Sequence, residues 1–266
     1  MRLARPSGRL AGDRQLAPFA MHGAARMSPR TLIVIPTFNE ADNIAPLIAV
    51  ISEQLPLAHV LVVDDHSPDG TAAVVRRLTV DDERIHLLER PSKLGLGSAY
   101  VAGFAWGVQL GFERFFEMDA DFSHDPRFLP AFVAALDAGA DVVAGSRNVP
   151  GGAIEGWGLL RLLLSKGSSL YARLILQSPV RDMTTGFKAY TRRALELIDI
   201  ATLRSNGYAF QVETTYRALQ RGLRVVEIPI RFVDRRAGRS KMTRHEIAEG
   251  ALGVWQMRFA QGARRA

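Results

Sequence analysis

The chain reads as one α/β domain built on a mostly parallel sheet with helices on both faces. Three observations predict this class. Short apolar runs at 31–36, 59–63, 85–88 and 112–118 have the length of buried strands. Segments with apolar residues at helical spacing stand between them, as at Ile44, Leu47, Ile48 and Ile51. The connections are short, and this alternation buries a parallel sheet between two helical layers. A chain of 266 residues with 47% hydrophobic content can supply such a core.

In chain order, TLIVIP is a strand stopped by Pro36, and Thr37-Phe38-Asn39-Glu40 turns into a helix with Asn39 as its N-cap. A second strand, His59–Val63, ends in Asp64-Asp65; the turn Ser67-Pro68-Asp69-Gly70-Thr71 and a helix to about Leu78 follow. The strand Ile85–Leu88 leads to a loop with Lys93 and Gly95-Leu96-Gly97, then a helix from Ser98. Phe112–Met118 is the fourth strand, Phe128–Leu136 a helix, and Asp141–Ala144 a strand running into Gly145-Ser146-Arg147. Pro150-Gly151-Gly152 then breaks the chain. The next segment, GLLRLLLSKGSSLYARLIL over 158–176, is a helix whose leucines cover more than one face. It is read as a core helix, with a helix at a membrane interface, basic residues at head-group level, as the alternative. Asp182–Tyr190 is a turn into a strand, helices begin near Arg193 and Gly207, and Val225–Val233 is an edge strand because Pro229 interrupts it. Asp234–Lys241 is a basic run, either a solvated loop or an anion contact, and 244–258 is a final amphipathic helix. The domain is expected to span 31–258, between a flexible basic tail at 1–30 and a basic tail at 259–266.

Composition excludes several classes. With no cysteine there is no disulfide framework, thiolate site or cysteine nucleophile. No apolar run is long enough to span a bilayer, and the first thirty residues, with six Arg and one Asp, lack the apolar centre of a secretory signal. Residues 31–146 hold seven Lys/Arg against seventeen Asp/Glu, whereas 147–266 hold twenty-one against nine. An acidic half suits a cation, and a basic half suits phosphates or an anionic membrane. Nucleic acid is disfavoured, because the basic residues are scattered among apolar segments without a recognition motif.

In open parallel sheets ligands bind beyond the carboxyl ends of the strands. Those ends carry Thr37 to Glu40, Asp64-Asp65, Lys93 and, in FFEMDADFSHD, Asp119 and Asp121. No Gly-x-Gly-x-x-Gly follows the first strand and no Gly-Lys-Ser/Thr occurs, which disfavours a dinucleotide cofactor and a P-loop. On an extended segment Asp119 and Asp121 would face one spot. Two converging carboxylates suit a hard cation, Mg²⁺ or Mn²⁺, completed by substrate phosphates. Taken alone, such a triplet is more often a solvated acidic loop.

The ordered set Ile35-Pro36-Thr37-Phe38-Asn39-Glu40, Val63-Asp64-Asp65-His66-Ser67-Pro68-Asp69-Gly70-Thr71, Lys93 to Gly97, Met118 to His124, Gly145-Ser146-Arg147 and Val233-Asp234-Arg235 with Gly238, Ser240 and Lys241 resembles a known family. It is similar to the family 2 glycosyltransferases with a GT-A fold, and within them to the polyprenol (dolichol) monophosphate mannose synthases. Each motif is weak alone; their common order over about 31–250 is specific.

The resemblance implies that Pro36, Phe38, Glu40, Val63 and Asp65 line the nucleotide pocket, with Ala120 against the nucleotide. Asp119 and Asp121 match the metal pair. Arg147, Arg235 and Lys241 match phosphate contacts, and Arg161, Ser165 and Lys166 match a stretch receiving the lipid phosphate together with Arg147. Asp121 and Arg147 are the expected catalytic residues. Residues 31–146 become the nucleotide and metal half, 147–258 the acceptor half. Two positions depart from the pattern: Phe38 stands where Tyr is usual, and Ser123 where some members have Gln, leaving a third metal ligand open. The implied reaction moves mannose from GDP-mannose to polyprenyl monophosphate with inversion. Glucose transfer from UDP-glucose is the alternative, and a non-catalytic basic adaptor at membranes or on nucleic acid is the alternative of another class. The expected location is the cytoplasmic face of a membrane, peripherally or through a membrane-embedded partner.

Overall fold

A computed structural model describes residues 29–203, 205, 207–234 and 244–259. β1 (Thr31–Thr37), α1 (Ala41–Gln54), β2 (His59–Asp64), α2 (Thr71–Asp81), β3 (Ile85–Glu89), α3 (Leu96–Gln109) and β4 (Arg114–Glu117) alternate as expected. There follow α4 (Leu129–Asp137), β5 (Val142–Ser146), β6 (Ala153–Glu155), α5 (Leu159–Leu176), β7 (Lys188–Thr191), α6 (Arg192–Ile198), α7 (Gly207–Gln220), β8 (Val225–Pro229), β9 (Arg231–Val233) and α8 (Arg244–Phe259). The main sheet has seven strands in the order β3-β2-β1-β4-β7-β5-β8, and β6 pairs with β9 in a small second sheet. β7 is antiparallel to both neighbours, β4 and β5; the other pairs are parallel.

Two apolar layers sandwich the sheet. One joins Ile44, Leu47 and Ile51 of α1 to Ile33, Ile35 and Phe116. The other joins Tyr100 and Phe104 of α3 and Phe210 of α7 to Leu32, Val34 and Phe115. Gly103 and Gly107 let α3 sit close on β1, since a Cβ at either would overlap Val34 or Leu32.

Several local expectations are corrected. β1 runs past Pro36 to Thr37, because Thr37 stays paired with Asp64 and its carbonyl accepts from the Asp65 amide at 3.0 Å. Asn39 is not the α1 cap: it sits at φ 61°, and Glu40 occupies the cap position without a side-chain bond to a helix amide N–H of the backbone. The Asp69 carboxylate, from the following turn, accepts from the first α1 amide, Ala41, at 3.0 Å. Pro229 divides the expected edge strand in two: β8 closes the main sheet, and the chain then leaves to form β9. The largest correction concerns α5, which buries only Ser169, Ala172 and Leu176 and is not a core helix. Leu159, Leu160, Leu163, Leu164, Leu170 and Leu174 are each more than half exposed. Among the described residues no helix is long and apolar enough to cross a membrane.

Candidate active site

β4 delivers Met118 into the core, and the chain then turns sharply rather than continuing extended. Phe122 holds φ 61°, and Asp121 Oδ1 accepts from the Ser123 amide at 3.1 Å. Asp119 and Asp121 therefore sit on a turn around His124, and not on an extended segment with the two-residue period of a strand. The Asp119 amide donates to His124 Nδ1 at 3.2 Å, and Asp119 Oδ2 lies 3.9 Å from the same nitrogen. Tyr100 donates its hydroxyl to Asp119 Oδ1 at 3.4 Å. Because Nδ1 accepts, the imidazole proton sits on Nε2 of a neutral ring. Burial drives the His124 pKa down to about 4, Asp121 working against that shift. The ring stacks on Phe187 at 5.0 Å and meets Phe232 edge-on at 5.5 Å. Asp119 keeps 36% of its side chain exposed, whereas Asp121 is buried.

These residues fit a divalent cation. Two carboxylates stand on one turn, and the Ser123 hydroxyl of the same turn is buried without a hydrogen-bond partner among the described residues. Among the described residues no third carboxylate or histidine completes a metal cluster. That donor count suits an ion whose remaining ligands are substrate oxygens and water.

The rim at the carboxyl ends of β1 and β2 is braced by side chains. Asp64 accepts from the Thr37 hydroxyl at 2.7 Å and from the Ser67 amide at 2.9 Å. Asp65 binds the Arg90 guanidinium and receives the amides of Leu94 and Gly95 at 3.1 and 3.3 Å. Asp65 thus fixes the loop carrying Lys93, whose ammonium stands 4.6 Å over the Phe38 ring. Burial alone would raise the Asp69 pKa, but bonds from Thr71 and Ala41 hold it below the usual carboxylate value. Glu40 accepts from the Asn43 amide group at 2.9 Å. Pro36 is partly exposed beside it, while Ala120 and Val63 are buried in the two core layers. Val63 has no exposed surface and is paired within the sheet to Pro36 and Leu88.

Arg147, at the end of β5, is buried and makes a two-point ion pair with Asp182: Nε and Nη2 donate at 2.7 and 2.8 Å. Nη2 also donates to Thr184 Oγ1 at 2.9 Å. Burial opposes charge on both partners, yet their attraction prevails, raising the Arg147 pKa and lowering that of Asp182. The guanidinium carbon lies 5.3 Å from the Phe232 ring centre. The four expected acceptor-phosphate residues do not form one group. Arg161 pairs with Asp234 at 2.8 Å and covers Trp157, whereas Lys166 lines a cleft with Arg147 on another flank of α5. Ser165 is partly buried on the Arg161 side of the helix. Arg235 and Lys241 lie outside the described residues.

Sequence reasoning missed His124 as a brace, Asp182 as the Arg147 partner and Phe232 as the ring joining His124, Trp157 and Arg147. His124 and Asp182 stood inside quoted segments without a role. Nothing in the sequence marked Phe232 beyond its place just before Val233-Asp234.

Comparison with known proteins follows the same lines. The model of the family described as glycosyl transferase family 2 matches residues 32–198. The chain is 44% identical over 250 residues to polyprenol monophosphomannose synthase of Mycolicibacterium smegmatis, covering 93% of this chain and 94% of that one. It is 42% identical over 225 residues to undecaprenyl-phosphate mannosyltransferase of Micrococcus luteus, covering 85% and 92%. Among solved structures, glucosyl-3-phosphoglycerate synthase of Mycobacterium tuberculosis with Mn²⁺, UDP-glucose and phosphoglyceric acid aligns with a TM-score of 0.62 at 19% identity, over 88% of this chain and 79% of that one. A mannosyltransferase of Pyrobaculum calidifontis with GDP-mannose and Mn²⁺ aligns at 0.57 and 21%, over 90% and 65%. At these identities the likeness speaks for the fold alone, and it bears out the GT-A architecture.

Proposed function

The chain belongs to glycosyl transferase family 2, and on that premise we propose that it moves mannose from GDP-mannose to a polyprenyl monophosphate, releasing GDP with inversion. The observation that carries the reading is the near full-length identity of 44% to a protein named polyprenol monophosphomannose synthase. The site supports it with an acidic pair just beyond β4 and the buried Arg147 just beyond β5.

Asp119 and Asp121 would hold a divalent cation, which when bound offsets charge on the departing diphosphate. The chain's own residues do the positioning. Tyr100 and His124 fix the Asp119 carboxylate and its backbone, and the Ser123 amide fixes Asp121. Phe38, with Lys93 over its ring, and Glu40 offer an aromatic surface and an acceptor to a nucleoside. Arg147 supplies a fixed positive charge near both Asp119 and the acceptor side, and Arg235 and Lys241 are assigned to the phosphates from their motif. A phosphate monoester, with a second pKa of about 6, is already mostly dianionic at neutral pH. It attacks without a general base, which agrees with a site whose one buried histidine is occupied in bracing Asp119. The protein acts peripherally at the cytoplasmic face of a membrane, where its acceptor lies.

The test is parallel incubation with GDP-mannose and with UDP-glucose, each with polyprenyl phosphate, and the product mass. The reading expects the mannosyl lipid and GDP. A glucosyl product from UDP-glucose alone transfers the reading to the glucosyl reaction, and no transfer from either donor rejects it.

A further inference from the structure

Behind the acidic turn lies a buried polar cluster that the transfer, as derived so far, leaves unused. Lys188 of β7 has no exposed surface, and its ammonium donates to the Gln211 carbonyl at 2.8 Å, to Gln211 Oε1 at 2.7 Å and to Thr214 Oγ1 at 2.9 Å. Its hydrogens are thereby used. Because Oε1 faces Lys188, the orientation of the Gln211 amide is fixed and Nε2 points away from the ammonium. The Glu117 carboxylate takes the Tyr190 hydroxyl on Oε1 at 2.7 Å. Burial raises the Glu117 pKa against the opposing pull of Lys188, Tyr190 and Gln211. Gln211 Nε2 is nevertheless buried and, among the described residues, outside hydrogen-bond geometry with any acceptor. Folded interiors leave few polar groups in that state, and each calls for an occupant or a role.

The surroundings of Nε2 narrow the occupant. A Cβ at Gly186 would meet Gln211 Nε2 at 3.5 Å, His124 Cε1 at 3.5 Å and Asp119 Oδ2 at 3.8 Å, so the bare glycine floors a niche that those atoms bound. The niche can be reached from outside, since Gly186 and Asp119 are both partly exposed. Stacking on Phe187 fixes its His124 wall. An amide N–H on one side and a carboxylate oxygen on the other suit a group that accepts from the first and donates to the second. A hydroxyl does both. A methyl does neither, and an unprotonated phosphate oxygen has nothing to donate to Asp119. Asp119 also belongs to the pair assigned to the cation on the donor's diphosphate, and the sugar is bonded to that diphosphate, so its hydroxyls are the ones brought here. We propose that the niche between Gln211 Nε2 and Asp119 Oδ2, over Gly186, holds one hydroxyl of the donor's sugar, and that Lys188 positions Gln211 for it. This rests on the sugar-transfer reading above and adds the residues that grip the sugar.

The probe is calorimetric titration of the full chain with GDP-mannose and, separately, with GDP, both in the presence of Mn²⁺. Gly186→Ala fills the niche at ordinary contact distances, and Gly186 is not among the glycines with positive φ, so the fold accepts the methyl. It should weaken GDP-mannose binding about tenfold, the scale of one hydrogen bond, with GDP affinity and the urea midpoint unchanged. Gln211→Glu keeps an acceptor for Lys188 and deletes the amide donor, and it should lower the affinity for GDP-mannose relative to GDP by about the same factor. An unchanged ratio in either folded variant overturns the proposal, and the niche then holds only water. An equal loss for GDP and GDP-mannose overturns it as well, since the niche would then serve the cation or the nucleotide. If the wild type binds UDP-glucose and not GDP-mannose, the mannose reading alone fails, and the ratio of UDP-glucose to UDP in the same variants decides the niche.

Discussion

Arg147 and Asp182 meet beyond the end of β5 with Nε and Nη2 on the two carboxylate oxygens, at 2.7 and 2.8 Å, and the Asp182 side chain is fully buried. The pair ties the end of β5 to the turn before β7, and it fixes the guanidinium that faces Phe232. A buried pair broken on one side leaves an uncompensated charge, which costs about 3–5 kcal/mol. Asp182→Ala is therefore expected to lower unfolding free energy by about that much, measured by urea titration. A loss below about 1 kcal/mol, the range of exposed pairs, would show that Arg147 finds another partner and that the pair does not set the wall.

The same pair gives a pH dependence with a defined sign. Burial alone would raise the Asp182 pKa, but Arg147 holds it below the ordinary value, so the unfolded chain binds the proton more readily. The stabilisation is complete above the unfolded value of about 3.9, and it is lost as pH falls through the folded pKa. Urea midpoints between neutral pH and about pH 3 should fall more steeply in the wild type than in Asp182→Asn, which carries no titrating group there. Parallel acid sensitivity in the two proteins would refute this assignment.

Asp121 separates folding from chemistry. Asp121→Asn keeps an oxygen for the Ser123 amide while removing the charge. Transfer should drop at least about 100-fold, the scale for losing one group that stabilises developing charge, with the urea midpoint nearly unchanged. Titration of Mn²⁺ in the presence of GDP should show the same loss without any turnover. Metal affinity at the wild-type level in this variant counts against the carboxylate pair as the cation site.

Legibility differed by element. Through residue 118 the helices were readable because each buries one apolar stripe, and the strands because they are short continuous apolar runs buried on both faces. α5 was not, since its leucines satisfy a core helix and a surface helix equally; only their exposure in the folded chain decides. Asn39 shows the limit at a cap: the sequence offers a local capping residue, but Asp69, from the next turn, reaches the Ala41 amide first. Asp119 and Asp121 lie beyond the end of β4 as expected, yet they sit on the Phe122 turn with its His124 contacts, which the strand period does not contain.

The sequence by itself determined the sheet-and-helix alternation, the division into an acidic and a basic half, and the ordered motifs that carry the family. These are local or additive properties, readable from spacing and composition. Tertiary structure alone decided the pairings across distance: Arg147 with Asp182, Arg161 with Asp234, Phe232 between His124 and Trp157, and the parting of Arg161 from Lys166 on one helix. A charge takes the partner that the folded chain brings within reach and desolvates with it, and that choice depends on packing, which no segment specifies alone.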